Sequence, residues 1–156
     1  MTIESSNAWT PRDPAYETRV RGSFGRQSHM ATLGASIAFI APGRVHFALP
    51  FAPQFCQQNG FLHAGAITSV ADSANGYAAL TLSPPGTDVL AVEFKINLLE
   101  PAKGEGFLAC GEVLRAGRTL TVCRADVFTT GSSERVLIAT MLSTIIVRPI
   151  ERSFPA

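Results

Sequence analysis

Residues 57–82, QQNGFLHAGAITSVADSANGYAALTL, decide the fold that this sequence predicts. Nearly every side chain in residues 70–82 is small or apolar, which indicates a buried helix. Asp72 is the only permanently charged side chain between Arg44 and Asp88. A carboxylate in an apolar helix destabilises the fold unless it is paired, so an unpaired one is expected to be present for its chemistry. Asp72 is therefore the first candidate for a functional residue.

The sequence predicts strands on both sides of this helix. Short apolar runs at residues 35–41 and 44–51 are joined by a Pro-Gly turn and form a hairpin. Four more strands are predicted after the helix, at residues 88–99, 106–114, 119–129 and 136–147. A mostly antiparallel sheet can cover one buried helix if it curls around that helix. We therefore predict an α+β fold in which about six strands wrap around one long central helix.

Length and charge limit the class of protein. A chain of 156 residues is expected to fold as one domain, with a leader and short helix in residues 1–30 and the folded body in residues 31–150. Asp13 could cap the leader helix, which is predicted to run toward Met30. The net charge of +1 gives no field that would attract nucleic acid or an anionic membrane. The sequence also has no apolar run of the roughly 20 residues that span a bilayer.

The cysteines and histidines do not have the spacing of metal ligands. We expect no metal, no resident cofactor and a cytoplasmic protein with reduced thiols, since the N-terminus lacks the apolar core of a secretory signal. Cys56 lies near the central helix, but no His and acid are evidently arranged to activate it. Cys110 and Cys123 are interpreted as small core residues.

The central helix has two unlike sides and a polar start. Small residues share the side of Asp72, at about 100° per residue: Gly65, Ser69, Gly76 and Ala79. Bulkier residues lie opposite and are expected to pack on the sheet: Ile67, Val70, Ala74 and Tyr77. The helix starts near His63, where unpaired amides can hold a developing oxyanion. His63 lies nine residues before Asp72, about two and a half turns away, so two chains are needed to bring both together.

Three segments resemble the PaaI-type hotdog-fold acyl-CoA thioesterases: residues 57–82, VEFKINLLEPA at 92–102 and LRAGRTLTVCRADVF at 114–128. The resemblance covers about residues 30–148. It implies a hotdog fold, a homodimer with a continuous sheet that often assembles into a homotetramer, and active sites at the dimer interface.

The same resemblance assigns roles to single residues. Asp72 matches the catalytic acid, which acts as general base or nucleophile, and His63 matches the histidine of an HGG motif. The amide of Ala64 or Gly65 would polarise the thioester carbonyl. Structural roles remain open for both side chains: Asp72 could cap a neighbouring loop or helix, and His63 could be a hydrogen-bonding residue rather than a base.

The chain departs from the family pattern at three positions. Ala64 stands where the motif normally has its first glycine. Gln57 replaces an asparagine found in some members, although Asn59 could substitute for it, and both could simply hold the loop. Ala91 stands where some members have a Ser or Thr that helps to orient water.

A predicted hairpin supplies candidate contacts to coenzyme A. Arg115 and Arg118 flank a turn that contains Gly117, and their guanidinium groups could meet the phosphates. They could equally be solvated hairpin charges.

The predicted function is hydrolysis of acyl-CoA thioesters to free acid and CoA. The alternatives are a non-catalytic acyl-CoA- or lipid-binding hotdog protein, suggested by the missing hydroxyl at Ala91, and a hotdog enoyl-CoA hydratase or dehydratase that would use His63 with an acid. The sequence leaves the acyl chain open.

Overall fold

The computed structural model describes residues 9–132 and 134–150, so the first eight residues of the predicted leader lie outside the described residues. Its elements are α1 Tyr16–Phe24, α2 Ser28–Leu33, β1 Ser36–Ala41, β2 Arg44–Pro50, α3 Ala64–Leu80, β3 Thr87–Leu98, β4 Gly106–Ala116, β5 Leu120–Thr130 and β6 Leu137–Pro149. All six predicted strands and the central helix are present, with strand ends within two residues of the predicted ones.

The six strands form one antiparallel sheet in the order β1-β2-β4-β5-β6-β3. Helix α3 contacts the five strands β2 to β6. Five strands are about 19 Å wide at about 4.8 Å per step, whereas a helix is about 10 Å across. The sheet must therefore curl around α3, as the sequence predicts.

Helix α3 packs on the sheet through the side that the sequence assigned to packing. Ile67, Val70 and Ala74 are buried, and Tyr77 is only 5% exposed. The closest approach is at Gly111 of β4, where a Cβ atom would lie 2.4 Å from the backbone of Ala74. Glycine is required at this position because any side chain would push the helix away from the sheet.

The prediction of a single N-terminal helix is wrong. The N–H of Gly25 bonds to Arg21 at the end of α1, and Gln27 is extended before α2 begins. Asp13 does accept a hydrogen bond, at 2.9 Å from the N–H of Ala15, but it caps a turn that precedes the helix. Both short helices pack on the main core, through buried Val20 and residues of α2.

Arg19 fixes α1 to the end of α3. Its guanidinium donates hydrogen bonds of 2.7 Å to the carbonyl oxygens of Leu80, Ser83 and Pro84. Carbonyl groups at a helix C-terminus lack intrahelical partners, and a cation there is favourable. Asp13 lies 3.3 Å from the same guanidinium. This contact determines where α1 lies relative to the middle of α3.

Within the part of the chain that the structure describes, strand β3 lies at one edge of the sheet and pairs with β6 alone. Along the side of this 12-residue strand that faces away from β6, the backbone N–H and C=O groups have no partner strand among the described residues. Four large apolar side chains on it are between 45% and 56% exposed: Leu90, Val92, Phe94 and Leu98. A register irregularity between Ala91 and Glu93 interrupts the period-two alternation of this strand, so that Val89 and Ile96, seven residues apart, both pack against the core. Long apolar edges of this kind pair readily with another strand.

Candidate active site

Asp72 lies in the middle of α3 and is half-buried. Its Oδ1 atom is buried and has no hydrogen-bond partner among the described residues. Burial raises the pKa of the Asp72 carboxyl above its ordinary value. Buried polar atoms nearly always have partners, so an exception marks a candidate for ligand binding or catalysis. The Oδ1 atom of Asp72 is such an exception.

The cavity at Asp72 has a volume of about 280 Å³ and lies between α1, α3 and β3. Ala91 lines it, so the position at which the resemblance expects a hydroxyl presents a methyl group on the wall next to the acid. Asp88 is a second carboxylate on this wall. It is exposed, and its Oδ1 accepts a 2.8 Å hydrogen bond from the N–H of Val89. Of the two acids, Asp72 is the buried one with an unused oxygen.

The start of α3 holds one amide without a partner. His63 is the N-cap residue, and its Nδ1 accepts a hydrogen bond of 2.8 Å from the N–H of Gly65. The N–H of Ala66 bonds to the His63 carbonyl at 3.0 Å. Within the described residues the N–H of Ala64 makes no hydrogen bond. The sequence left Ala64 and Gly65 as equal candidates for the oxyanion donor, and the geometry favours Ala64.

The role of His63 follows from the same contact. Because Nδ1 accepts a hydrogen bond, the proton of the neutral ring is placed on Nε2. The backbone N–H of His63 also bonds to the Phe55 carbonyl at 2.8 Å. The first bond orients the ring at the helix start, and the second fixes the backbone of the N-cap residue.

A second cavity, of about 480 Å³, opens at the start of α3. His63, Ala64 and Gln57 line it, together with Leu98 and Leu99 from the end of β3. It shares no lining residue with the cavity at Asp72. Ala64 and Asp72 are eight residues apart in the helix, about 12 Å along its axis. One chain therefore presents two separate candidate half-sites, one at each cavity.

The loop before α3 is held by its own hydrogen bonds. The N–H of Gln57 bonds to the Phe61 carbonyl at 2.8 Å, and the Gln57 carbonyl accepts from Gly60 at 3.0 Å. The Gln57 side chain accepts a hydrogen bond from the N–H of Asn59. Asn59 is exposed on the turn and does not line the cavity at the start of α3.

The hairpin between β4 and β5 lies outside both cavities. Arg115 and Arg118 are exposed. The N–H of Gly117 bonds to the Leu120 carbonyl at 2.9 Å, and a Cβ on Gly117 would lie 2.5 Å from that oxygen. Gly117 thus shapes the turn, and the two cations flank it in open solvent.

Three further features concern the thiols, the possible metal ligands and the length of the helices. All three cysteines are free, and burial raises the pKa of the Cys123 thiol to about 12. In the described part of the chain, no three His, Cys, Asp or Glu side chains are placed so that they could hold a metal ion. No helix there has the length and apolarity needed to cross a membrane.

Sequence reasoning missed a polar cluster beside Asp72. The Tyr77 hydroxyl lies 3.3 Å from Ser23 Oγ and accepts a hydrogen bond of 3.2 Å from Gln27 Nε2. All three side chains line the cavity that contains Asp72. These contacts join residues 54 and 50 positions apart, so no local pattern in the sequence signals them.

Comparison with solved structures defines the class of fold. A thioesterase family protein from Silicibacter pomeroyi is 48% identical, with a TM-score of 0.84 over 86% of this chain and 98% of that one. The E. coli PaaI protein from the phenylacetic acid degradation operon has a TM-score of 0.77 at 18% identity, over 87% of this chain and 94% of its own, which shows the fold alone. The protein has the hotdog fold of the PaaI-type thioesterases, as the resemblance implied.

Sequence comparison identifies the family. The model of the thioesterase superfamily matches residues 59–135, which include both half-sites. A Saccharolobus solfataricus protein with the provisional name of an esterase is 37% identical over 60% of this chain and 66% of its own. A second such protein from the same organism is 30% identical over 74% of each chain. The chain belongs to the thioesterase superfamily, a class of hydrolases.

Proposed function

We propose that this protein hydrolyses acyl-CoA thioesters to a free acid and CoA, in active sites formed by two copies of the chain. The observation that carries the proposal is the Asp72 carboxylate: it is half-buried, its buried Oδ1 atom has no partner, and the residue lines a cavity in a chain of the thioesterase superfamily. Such a group is ionised at neutral pH unless its pKa rises by several units. It can therefore take a proton or attack a carbonyl.

The Ala64 amide supplies the second part of the reaction. It lies at the positive end of the α3 dipole and can donate to the carbonyl oxygen of the thioester. In the general-base route, Asp72 takes a proton from water while the water oxygen bonds to the carbonyl carbon. The C–S bond then breaks, and the CoA sulfur receives the proton from Asp72. In the nucleophilic route, Asp72 forms a mixed anhydride as CoA leaves, and water hydrolyses it.

The open edge of β3 provides the surface for dimerisation. Residues 89–91 of β3 line the Asp72 cavity, whereas Leu98 and Leu99 line the cavity at Ala64. When two copies of β3 pair antiparallel about a two-fold axis, the Asp72 end of each strand faces the Ala64 end of the other. Pairing of this kind buries the apolar edge and joins the two half-sites. Two such dimers would form the homotetramer.

The remaining substrate contacts are proposed from the hairpin. Arg115 and Arg118 offer planar cations to the CoA phosphates, and Gly117 keeps the turn between them tight. Gln57 and Asn59 order the loop beside the helix start. The reaction needs no metal or resident cofactor, because CoA arrives as part of the substrate. We place the protein in the cytoplasm, where its three thiols stay reduced and acyl-CoA is available.

The direct test is Asp72→Asn, assayed on short, long and aryl acyl-CoAs by release of free thiol. We expect kcat to fall by about 10⁴, the loss seen when an essential catalytic group is removed. Asp88→Asn, which removes the other carboxylate on the cavity wall, should keep most of the turnover. Near-wild-type turnover by Asp72→Asn would refute the assignment of Asp72 as the catalytic residue.

The same assay separates the alternative functions. Tight binding of acyl-CoA without thiol release by the wild type would favour the non-catalytic binding protein suggested by the methyl group of Ala91. Hydration of an enoyl-CoA would favour the hydratase. A single turnover in ¹⁸O-labelled water tests for the nucleophilic route, because solvent oxygen enters the Asp72 carboxylate only when a mixed anhydride forms and water attacks its Asp72 carbonyl carbon.

A further inference from the structure

We infer that the Ser23, Gln27 and Tyr77 side chains recognise a neutral hydrogen-bonding group, such as a hydroxyl, on the acyl chain at a distance from the thioester. The inference rests on the proposed function, because it places the acyl chain in the Asp72 cavity. It names a feature of the substrate that the family match leaves open, since Ser23 and Gln27 lie outside the matched residues 59–135.

The polar cluster retains unused hydrogen-bonding groups. The two hydroxyls of Ser23 and Tyr77 carry two hydrogens, and their mutual bond uses one of them. The Gln27 side-chain amide donates one N–H to Tyr77, and among the described residues its other N–H and its Oε1 atom have no partner. The cluster can therefore both donate to and accept from a ligand in the cavity that its three members line.

The rest of the cavity makes this cluster selective. Leu80, Val89 and Ile145 add an apolar wall to the same cavity. Burying a hydroxyl against such a wall is unfavourable unless it finds a partner, and the cluster is where partners are available. The two carboxylates on the wall, Asp72 and Asp88, disfavour an acyl chain that ends in a negative charge. No described Lys or Arg lines the cavity to offset them.

The spacing along α3 guides the choice of test substrate. Tyr77 follows Asp72 by five residues, so their Cα atoms are about 7.5 Å apart along the helix axis. Three backbone bonds span about 3.8 Å, so six bonds reach about 7.6 Å. Six bonds separate the carbonyl carbon from the hydroxyl oxygen in a 6-hydroxyhexanoyl group. The cavity of about 280 Å³ accommodates a group of this size, at about 30 Å³ for each water-sized unit.

A purely structural role for the cluster is the competing explanation. Arg19, with three hydrogen bonds to the end of α3, already fixes the position of α1. Phe24 and Phe47 pack on the Tyr77 ring, with centroids at 6.1 and 5.7 Å. The positions of α1 and of the Tyr77 ring are thus determined without the Ser23 and Gln27 contacts. The Ser23 and Gln27 contacts supply the buried Tyr77 hydroxyl with partners, and the hydrogen-bonding groups that they leave unused can meet a ligand in the cavity.

The test compares 6-hydroxyhexanoyl-CoA with heptanoyl-CoA, in which a methyl group replaces the hydroxyl, and with adipoyl-CoA, which ends in a carboxylate. For the wild type we expect kcat/KM for the hydroxyl substrate to exceed that for heptanoyl-CoA by about tenfold, as for one net hydrogen bond. Adipoyl-CoA should be the poorest substrate. In the double variant Ser23→Ala, Gln27→Leu the ratio should fall to about one. Ser28→Ala, outside the cavity, should keep the wild-type ratio.

Each outcome decides the inference. A wild-type ratio near one, or an unchanged ratio in the double variant, overturns it. If the double variant does not fold, Tyr77→Phe keeps the ring packing and removes the hydroxyl, and its ratio decides in the same way. If wild type hydrolyses none of the three substrates but releases thiol from other acyl-CoAs, the proposed function stands; if it releases thiol from no short, long or aryl acyl-CoA, the proposed function fails. Calorimetric Kd values for the same ligands then test the inference: about tenfold tighter binding of the hydroxyl ligand supports it, and equal binding overturns it.

Discussion

The substitution Ala64→Pro removes one N–H group from the start of α3 and changes little else. Ala64 is the first residue of the helix, where proline fits because the N–H has no intrahelical partner. His63 has φ −62° and ψ 141°, the extended conformation that a residue before proline adopts. We therefore expect the free energy of unfolding to change by less than about 1 kcal/mol.

The catalytic effect of this substitution is expected to be much larger. The Ala64 N–H is the unpaired amide at the helix start, while the Gly65 N–H is occupied by His63. Loss of one donor to an oxyanion lowers kcat by about 10² to 10³, or about 2.7 to 4 kcal/mol in the barrier. KM should change little, because the interaction is made mainly in the transition state.

The assay measures thiol release under saturating acyl-CoA, with unfolding in urea to verify the fold. Ala64→Gly is the matched control, because it keeps the N–H and removes only the methyl group. Its kcat should stay within about threefold of wild type. A folded Ala64→Pro protein with wild-type kcat would falsify the assignment of this amide as the oxyanion donor.

Three further substitutions test the burial of Asp72, the hydrogen bonds of Arg19 and the open edge of β3. Asp72→Asn should raise Tm at pH 7, because burial raises the pKa of Asp72 and its ionised form then destabilises the folded state. The gain should vanish at about pH 3, below the ordinary pKa of about 3.9, where Asp72 is protonated in both states. Arg19→Ala should lower the free energy of unfolding by about 3 kcal/mol in urea titrations, because three carbonyls lose a charged donor. Val92→Asp should give a monomer without turnover in sedimentation and activity assays, whereas Leu114→Asp, exposed on β4, should keep both the dimer and the activity.

Each of these has an outcome that contradicts it. Equal Tm values for wild type and Asp72→Asn at pH 7 would mean that the carboxylate is not desolvated. Full stability of Arg19→Ala would mean that α1 is held by its apolar contacts alone. An active monomer of Val92→Asp would place both half-sites within one chain.

Local pattern in the sequence predicted most of the fold. The alternation of β3 and the apolar run of α3 gave those elements, since period and composition directly reflect burial. The leader helix is broken at Gly25 and Gln27, where the local sequence signal for a helix end is weak. The open edge of β3 depends on strand order, which no local pattern contains.

The candidate site was predicted in part. Asp72 stood out because a lone acid in an apolar helix is costly, and the fold places it beside a cavity. Ala64 is favoured over Gly65 as the oxyanion donor because His63 Nδ1 accepts a hydrogen bond from the Gly65 N–H. This contact depends on the rotamer of His63, which local sequence does not specify. Ser23 escaped notice because its contact with Tyr77 joins two helices that are distant in sequence.

The central claim is that Ala64 and Asp72 act in one site from different chains, and mixed dimers test it most directly. Ala64→Pro and Asp72→Asn proteins, each nearly inactive, are unfolded together in equal amounts and refolded, with separate tags to count mixed dimers. In a two-fold dimer, one site of each mixed dimer carries both substitutions and the other carries neither. We predict recovery of about a quarter of the wild-type activity per chain, since about half of the dimers are mixed. Mixed dimers that form but remain inactive would contradict the claim.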